Sequence, residues 1–109
     1  MNNEEQPSGS SRPHPRATFS LGYYHRVLTI LIQCARADVP HKLIAKALDD
    51  AGLLAPSGSR WNVGILKAAL YKLRSPDERP SRLYQALTRQ VFLGMIAAED
   101  ARVLTAHPQ

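Results

Sequence analysis

The sequence predicts an all-α protein. Apolar residues recur at i, i+3, i+4 and i+7 in four separate windows, the spacing of one helical face. Each main window is preceded by a capping residue (Ser20, Asn62, Ser81) or followed by a glycine stop (Gly52, Gly94). No alternating apolar–polar run of strand length occurs, and there is no internal repeat.

The chain begins with MNNEEQPSGSSRPHPRAT, residues 1–18, which holds almost no apolar side chain and is rich in Ser, Pro and Gly. Such a stretch cannot bury enough surface to offset its ordering entropy, so a disordered arm is expected. Ser20 then caps a helix reaching about Ala37. Its polar residues Arg26, Thr29, Gln33 and Arg36 form one narrow stripe, and nearly everything else on it is apolar. A surface helix ordinarily has an apolar face of about 100°. This one is wider and demands cover from two sides.

Asp38-Val39-Pro40 interrupts the chain, with Asp38 expected as the next cap and Pro40 in a first turn. Leu43, Ile44, Ala47, Leu48 and Ala51 then line one face of a second helix, which Gly52 ends. Ala55-Pro56-Ser57-Gly58-Ser59 is turn chemistry. Asn62 caps a third helix with the apolar stripe Trp61, Ile65, Leu66, Ala69, Leu70 and Leu73. The opposite face carries Asn62, Val63, Gly64, Lys67, Tyr71, Lys72 and Arg74. Two helices with a shared core and a polar-basic outer face predict a helix-turn-helix DNA reader. The expected arrangement is a three-helix core over 19–74, followed by a C-terminal helical hairpin over 75–109. In that hairpin Leu83, Tyr84, Leu87, Val91 and Phe92 are the apolar positions of the fourth helix, and Gly94 stops it. Ala98–Leu104 forms the fifth, with Ala101 and Leu104 turned toward Ile96 and with Glu99 and Asp100 in its first turn.

Residues Ile44 to Leu73 carry a resemblance. Serine recombinases bear, after their catalytic domain, a helical DNA-binding region with the pattern I-A-x-x-L-N-x-x-G-I-x-T-P-x-G-x-x-W. Ile44, Ala45, Leu48, Gly52, Pro56, Gly58 and Trp61 match it without a gap, Arg60 before the Trp is also common there, and Leu66, Ala69 and Leu70 take the apolar V-x-x-I-L positions of the helix that follows it in the family. Asp49 stands for the usual Asn, Ala55 for Thr, and Ile65 for a frequent Thr. The resemblance covers roughly a third of the chain. It implies the DNA-binding scaffold and not recombination, because the catalytic half has no counterpart here.

Charge points the same way. The chain has 109 residues, 44% of them hydrophobic and 21% charged, which fits one small globular domain. Its formal charge is +5 and its pI about 9.8, so an anionic partner is expected. Residues 1–18 and 75–109 each balance to zero. Residues 19–74 hold eight Lys or Arg against three Asp, and so the whole excess lies on the segment read as DNA-binding.

An enzyme is not expected. His14, His25, His41 and His107 are scattered without ligand spacing, Cys34 is alone, and no metal or cofactor site is predicted. Ser57 and Ser59 lack a nucleophile elbow and are turn residues whose hydroxyls could reach phosphate. Trp61 reads as a core anchor, with stacking on a base as the sharper alternative. Gly64 either lets the backbone approach DNA closely or sits where a later helix start makes it cheap. Predicted DNA contacts are Ser57, Ser59, Arg60, Asn62, Val63, Gly64, Lys67, Tyr71, Lys72 and Arg74.

The expected protein is a small sequence-specific DNA-binding regulator, bacterial or from a phage or plasmid. Double-stranded DNA is its partner, and a homodimer forms through the first and C-terminal helices. The alternative is a protein-interaction module, or an accessory subunit of a recombination complex, on the same scaffold. A polar N-terminus and the short apolar run at Val27–Ile32 predict a cytoplasmic, nucleoid-associated protein without a membrane anchor.

Overall fold

The computed structural model describes residues 19–106, and the expected N-terminal arm lies outside them. Five helices follow in order: α1 (Leu21–Arg36), α2 (His41–Asp50), α3 (Val63–Arg74), α4 (Arg82–Phe92) and α5 (Ala98–Thr105). Among the described residues there is no strand, so the fold is all-α as the periodicity predicts.

Three helix starts are built as their sequences predict. The Ser20 hydroxyl accepts from Tyr23 N at 3.0 Å, and the Ser81 hydroxyl accepts from Tyr84 N at 3.1 Å. The Asn62 Oδ1 accepts from Ile65 N at 2.8 Å. Each bond satisfies one N–H that a first helical turn leaves free.

Three helix ends share one motif, in which the chain turns through a left-handed residue and two amides bond back to the last turn. After α2 the turning residue is Gly52 (φ 76°), with Gly52 N bonded to Asp49 O and Leu53 N to Leu48 O. After α4 it is Gly94 (φ 80°). After α1 it is Asp38 (φ 55°), with Asp38 N bonded to Ala35 O and Val39 N to Cys34 O. Asp38 therefore ends α1 and does not cap α2, whose N-cap is Pro40 without a side-chain bond. A Cβ in this region is strained, and a carboxylate opposes the negative end of the α1 dipole. Asp38→Gly is expected to stabilise the protein by about 0.5–1 kcal/mol, read as a higher melting temperature. A lower one would show that the Asp38 side chain holds a contact worth more than the strain.

The wide apolar surface of α1 is covered from two sides, as it requires. Tyr24, Val27, Leu28, Leu31 and Ile32 are buried against α2 on one side and against α4 and α5 on the other. The covering helices belong to the same chain. The faces expected to meet a second copy are thus interior, and the need that pointed to a homodimer through α1 and the C-terminal helices is met by fold-back.

The C-terminal helices are also more than an appended hairpin. Helices α1 and α3 do not pack directly on one another, whereas α4 and α5 each pack on both. Leu83, Leu87, Ile96 and Leu104 are buried in the same core as Leu48, Trp61 and Leu66. The line between 74 and 75 separates no independent core.

Two side chains exchange the roles expected of them. Phe92 is 88% exposed, and Gln90 is fully buried. Gln90 continues the Leu83–Leu87 stripe at i+7, and its amide is satisfied at both ends. Its Nε2 donates to Leu21 O at 3.2 Å, which leaves Oε1 to accept from His25 Nδ1–H at 2.9 Å. The cost of burying the amide is thereby offset, and α4 is pinned to the start of α1. On α2, similarly, Leu43 is exposed and Ala45 is buried.

Candidate nucleic-acid interface

The α2–α3 connection runs from Ala51 to Asn62, longer than the three- or four-residue turn of a simple helix-turn-helix. It is an anchored loop. Leu53 and Ala55 are buried, and Ala55 N bonds to Ser59 O and Gly58 N to Ala55 O, both at 2.8 Å. Gly58 adopts φ 92°, a conformation that favours glycine. The Tyr23 hydroxyl donates to Leu54 O, tying the loop to α1, and burial pushes that hydroxyl well above its usual pKa. Ser57 and Ser59 stand exposed at the loop's tip.

Trp61 closes the loop as a core side chain, 5% exposed among α3 neighbours Leu66 and Leu70. Its indole N–H is buried with no hydrogen-bond partner among the described residues.

From this anchor α3 presents its outer face. At about 100° per residue, Gly64 and Tyr71 share the centre, Lys67 and Arg74 one flank, and Ala68 and Lys72 the other. Gly64, Lys67, Tyr71 and Lys72 are exposed, Tyr71 by 62%. Among the described residues none of Lys67, Lys72 and Arg74 makes an ion pair. Gly64 lies in the first turn, where its backbone cost is small. A Cβ there would meet only Asn62 Oδ1 at 3.4 Å.

Four of the expected contacts are placed differently from that exposed row. Arg60 is exposed, but its guanidinium is engaged by Asp49, with Nε to Oδ1 at 3.1 Å and Nη2 to Oδ2 at 2.5 Å. This fork holds the Asp49 carboxyl below its usual pKa. Asn62 spends its side-chain oxygen on the cap, and Val63 is half-buried. Arg74 is half-buried and lines a cleft of ≈ 250 Å³ with Asp38, His41 and Val103, on the α1–α5 side of the molecule. Lys72 lines a separate, largely apolar groove of ≈ 260 Å³ with Ser57, Ala68 and Arg82.

Arg82 is a site residue that charge bookkeeping over 75–109 conceals. Helix α4 carries Arg82 and Arg89 and no acid, while the balancing acids sit in the preceding linker (Asp77, Glu78) and in α5 (Glu99, Asp100). Averaging over the segment hides a basic helix. The signal was present in the windowed charge of α4 alone.

Comparison with protein-family models, curated proteins and solved structures finds no match for this chain. Among the described residues no group of three or more His, Cys, Asp or Glu could hold a metal ion. No helix there is long and apolar enough to cross a membrane.

Proposed function

We propose that the chain is a sequence-specific DNA-binding protein, without catalysis of its own, that offers the outer face of α3 to the major groove as a transcriptional regulator. The observation that carries this reading is the row Gly64–Lys67–Tyr71–Lys72, exposed on one helix, without ion pairs among the described residues, and fixed at its start by the Asn62 cap and the buried Trp61. A helix of this kind fits the major groove, where a lysine amine can donate to guanine O6 and N7. In this reading Ser57 and Ser59, exposed on the loop before α3, donate to phosphate, and Gly64 permits close backbone approach. The formal charge of +5 favours the encounter with DNA.

Selection of bound duplexes from a random pool tests the reading. One enriched motif is expected. Lys67→Ala then relaxes preference at one position at a cost of about 1–3 kcal/mol, whereas Lys72→Ala weakens binding to all sequences alike. Enrichment of no motif would contradict base readout by α3.

The Asp49–Arg60 fork adds a prediction. Asp49→Asn keeps the shape, removes one negative charge and frees the Arg60 guanidinium at the loop's edge. Duplex affinity is expected to rise and the salt slope to steepen by about one phosphate contact. An unchanged slope would place Arg60 outside the interface.

A further inference from the structure

A cleft lies between the start of α1 and the length of α4. It measures ≈ 670 Å³. Arg82, Gln85, Ala86 and Arg89 of α4 form one wall, and Phe19, Leu21 and Tyr24 form the other. The two arginines are seven residues apart, two turns on one helix face, so their backbone positions stand about 10 Å apart along the helix. Both are exposed, and among the described residues neither makes an ion pair. Leu93 follows at the end of the same line, and it is exposed together with Phe92 and Met95. The opposite wall is an aromatic cluster: Phe19 stacks on Tyr23 with ring centroids 4.0 Å apart, and Tyr24 packs edge-on against both. Gln90 holds the two walls together from beneath through Leu21 O.

We infer that this cleft is a docking site for an acidic segment of a partner protein, with apolar side chains on the cleft floor and carboxylates on Arg82 and Arg89. The pairing of cationic rims with an aromatic wall selects that occupant. A phosphate backbone gains from the arginines but nothing from Phe19, Leu21, Ala86 and Leu93. An uncharged apolar segment gains from the floor but strips water from two guanidinium groups without return. Arginine and aromatic residues around an apolar centre are the composition that protein interfaces favour. The inference names another partner than the α3 reading and rests on α1 and α4, with Arg82 common to both because it also lines the groove beside Lys72 and Ser57. With both in place, the protein would join a duplex on α3 to a protein on α4.

The test is selection of a random twelve-residue peptide display library on the immobilised full-length protein. Enriched peptides are expected to carry two or more Asp or Glu beside apolar anchors. The best of them should bind the R82A/R89A variant at least about tenfold more weakly, with the melting temperature unchanged because both side chains are exposed. Selection on R82E/R89E should enrich Lys and Arg in place of acids. Enrichment of peptides without acids, no enrichment, or equal binding to R82A/R89A overturns the inference. Two other results also overturn it and name a different occupant. If R82A/R89A lowers affinity for every duplex and flattens the salt slope by about two contacts, the cleft tracks DNA phosphates. If the wild type self-associates and R82A/R89A does not, the occupant is a second copy.

Discussion

Deleting residues 81–109 is expected to abolish cooperative folding of the remainder. The deletion removes α4 and α5, which pack on both α1 and α3 and bridge two helices that do not pack on each other. Leu83, Leu87, Ile96 and Leu104 leave the core with them, each at most 6% exposed. Burial of one such side chain contributes about 1.5–3 kcal/mol. Four of them amount to a large share of the roughly 5–15 kcal/mol that holds a domain together. The loss also uncovers Val27, Leu28 and Leu31 on α1 and removes the partner that holds Leu21 O and His25. The shortened chain should show a broad, non-cooperative melt, bind hydrophobic dyes and aggregate. A sharp two-state transition for residues 1–80 would show that the first three helices fold alone.

Trp61→Ala is expected to cost about 3–5 kcal/mol, the range for truncating a large buried aromatic. The side chain is 5% exposed at the junction of the anchored loop and α3, so the cavity opens where α2 and α3 meet. Trp61→Phe separates size from polarity. It keeps most of the volume and removes an indole N–H that has no partner among the described residues, so its cost should be below about 1.5 kcal/mol. Urea unfolding of the two variants checks both statements. If Trp61→Ala kept wild-type stability but lost DNA binding, the indole would belong to the interface and not to the core.

Much of the fold was legible because local chemistry and the final structure agree. Ser20, Asn62 and Ser81 sit where a polar residue precedes an apolar period, and each makes the capping bond that pattern implies. Gly52 and Gly94 turn the chain where the periods stop. Asp38 misled for a physical reason. Asp is both a good N-cap and, among non-glycine residues, one of the more tolerant of the left-handed region, and only two positions separate the two roles in this short link. Gln90 and Phe92 misled because hydropathy was read as burial. On α4 the buried line is set by where α1 lies, and an amide with two partners fits that line while a phenyl ring falls off it. The α3 outer face was legible from helical spacing alone. What spacing could not give is the state of each charge there: Arg60 is held by Asp49, and Arg74 turns toward another cleft. Residue contacts across 11 positions or between helices are tertiary facts. So is the pairing of α1 with α4 that builds the Arg82–Arg89 cleft.

In the proposed function α3 presents DNA with the exposed lysines Lys67 and Lys72, which make no ion pair among the described residues. The most direct measurement is the salt dependence of duplex binding by the wild-type protein and by Lys67→Ala/Lys72→Ala, followed by fluorescence anisotropy. The wild type should lose affinity linearly in log salt as counterions are released from the DNA, and the double variant should show a slope lower by about one contact, the share of Lys72, with its melting temperature unchanged. A wild-type protein that binds no duplex at low salt, or a double variant with an unaltered slope, would contradict the claim.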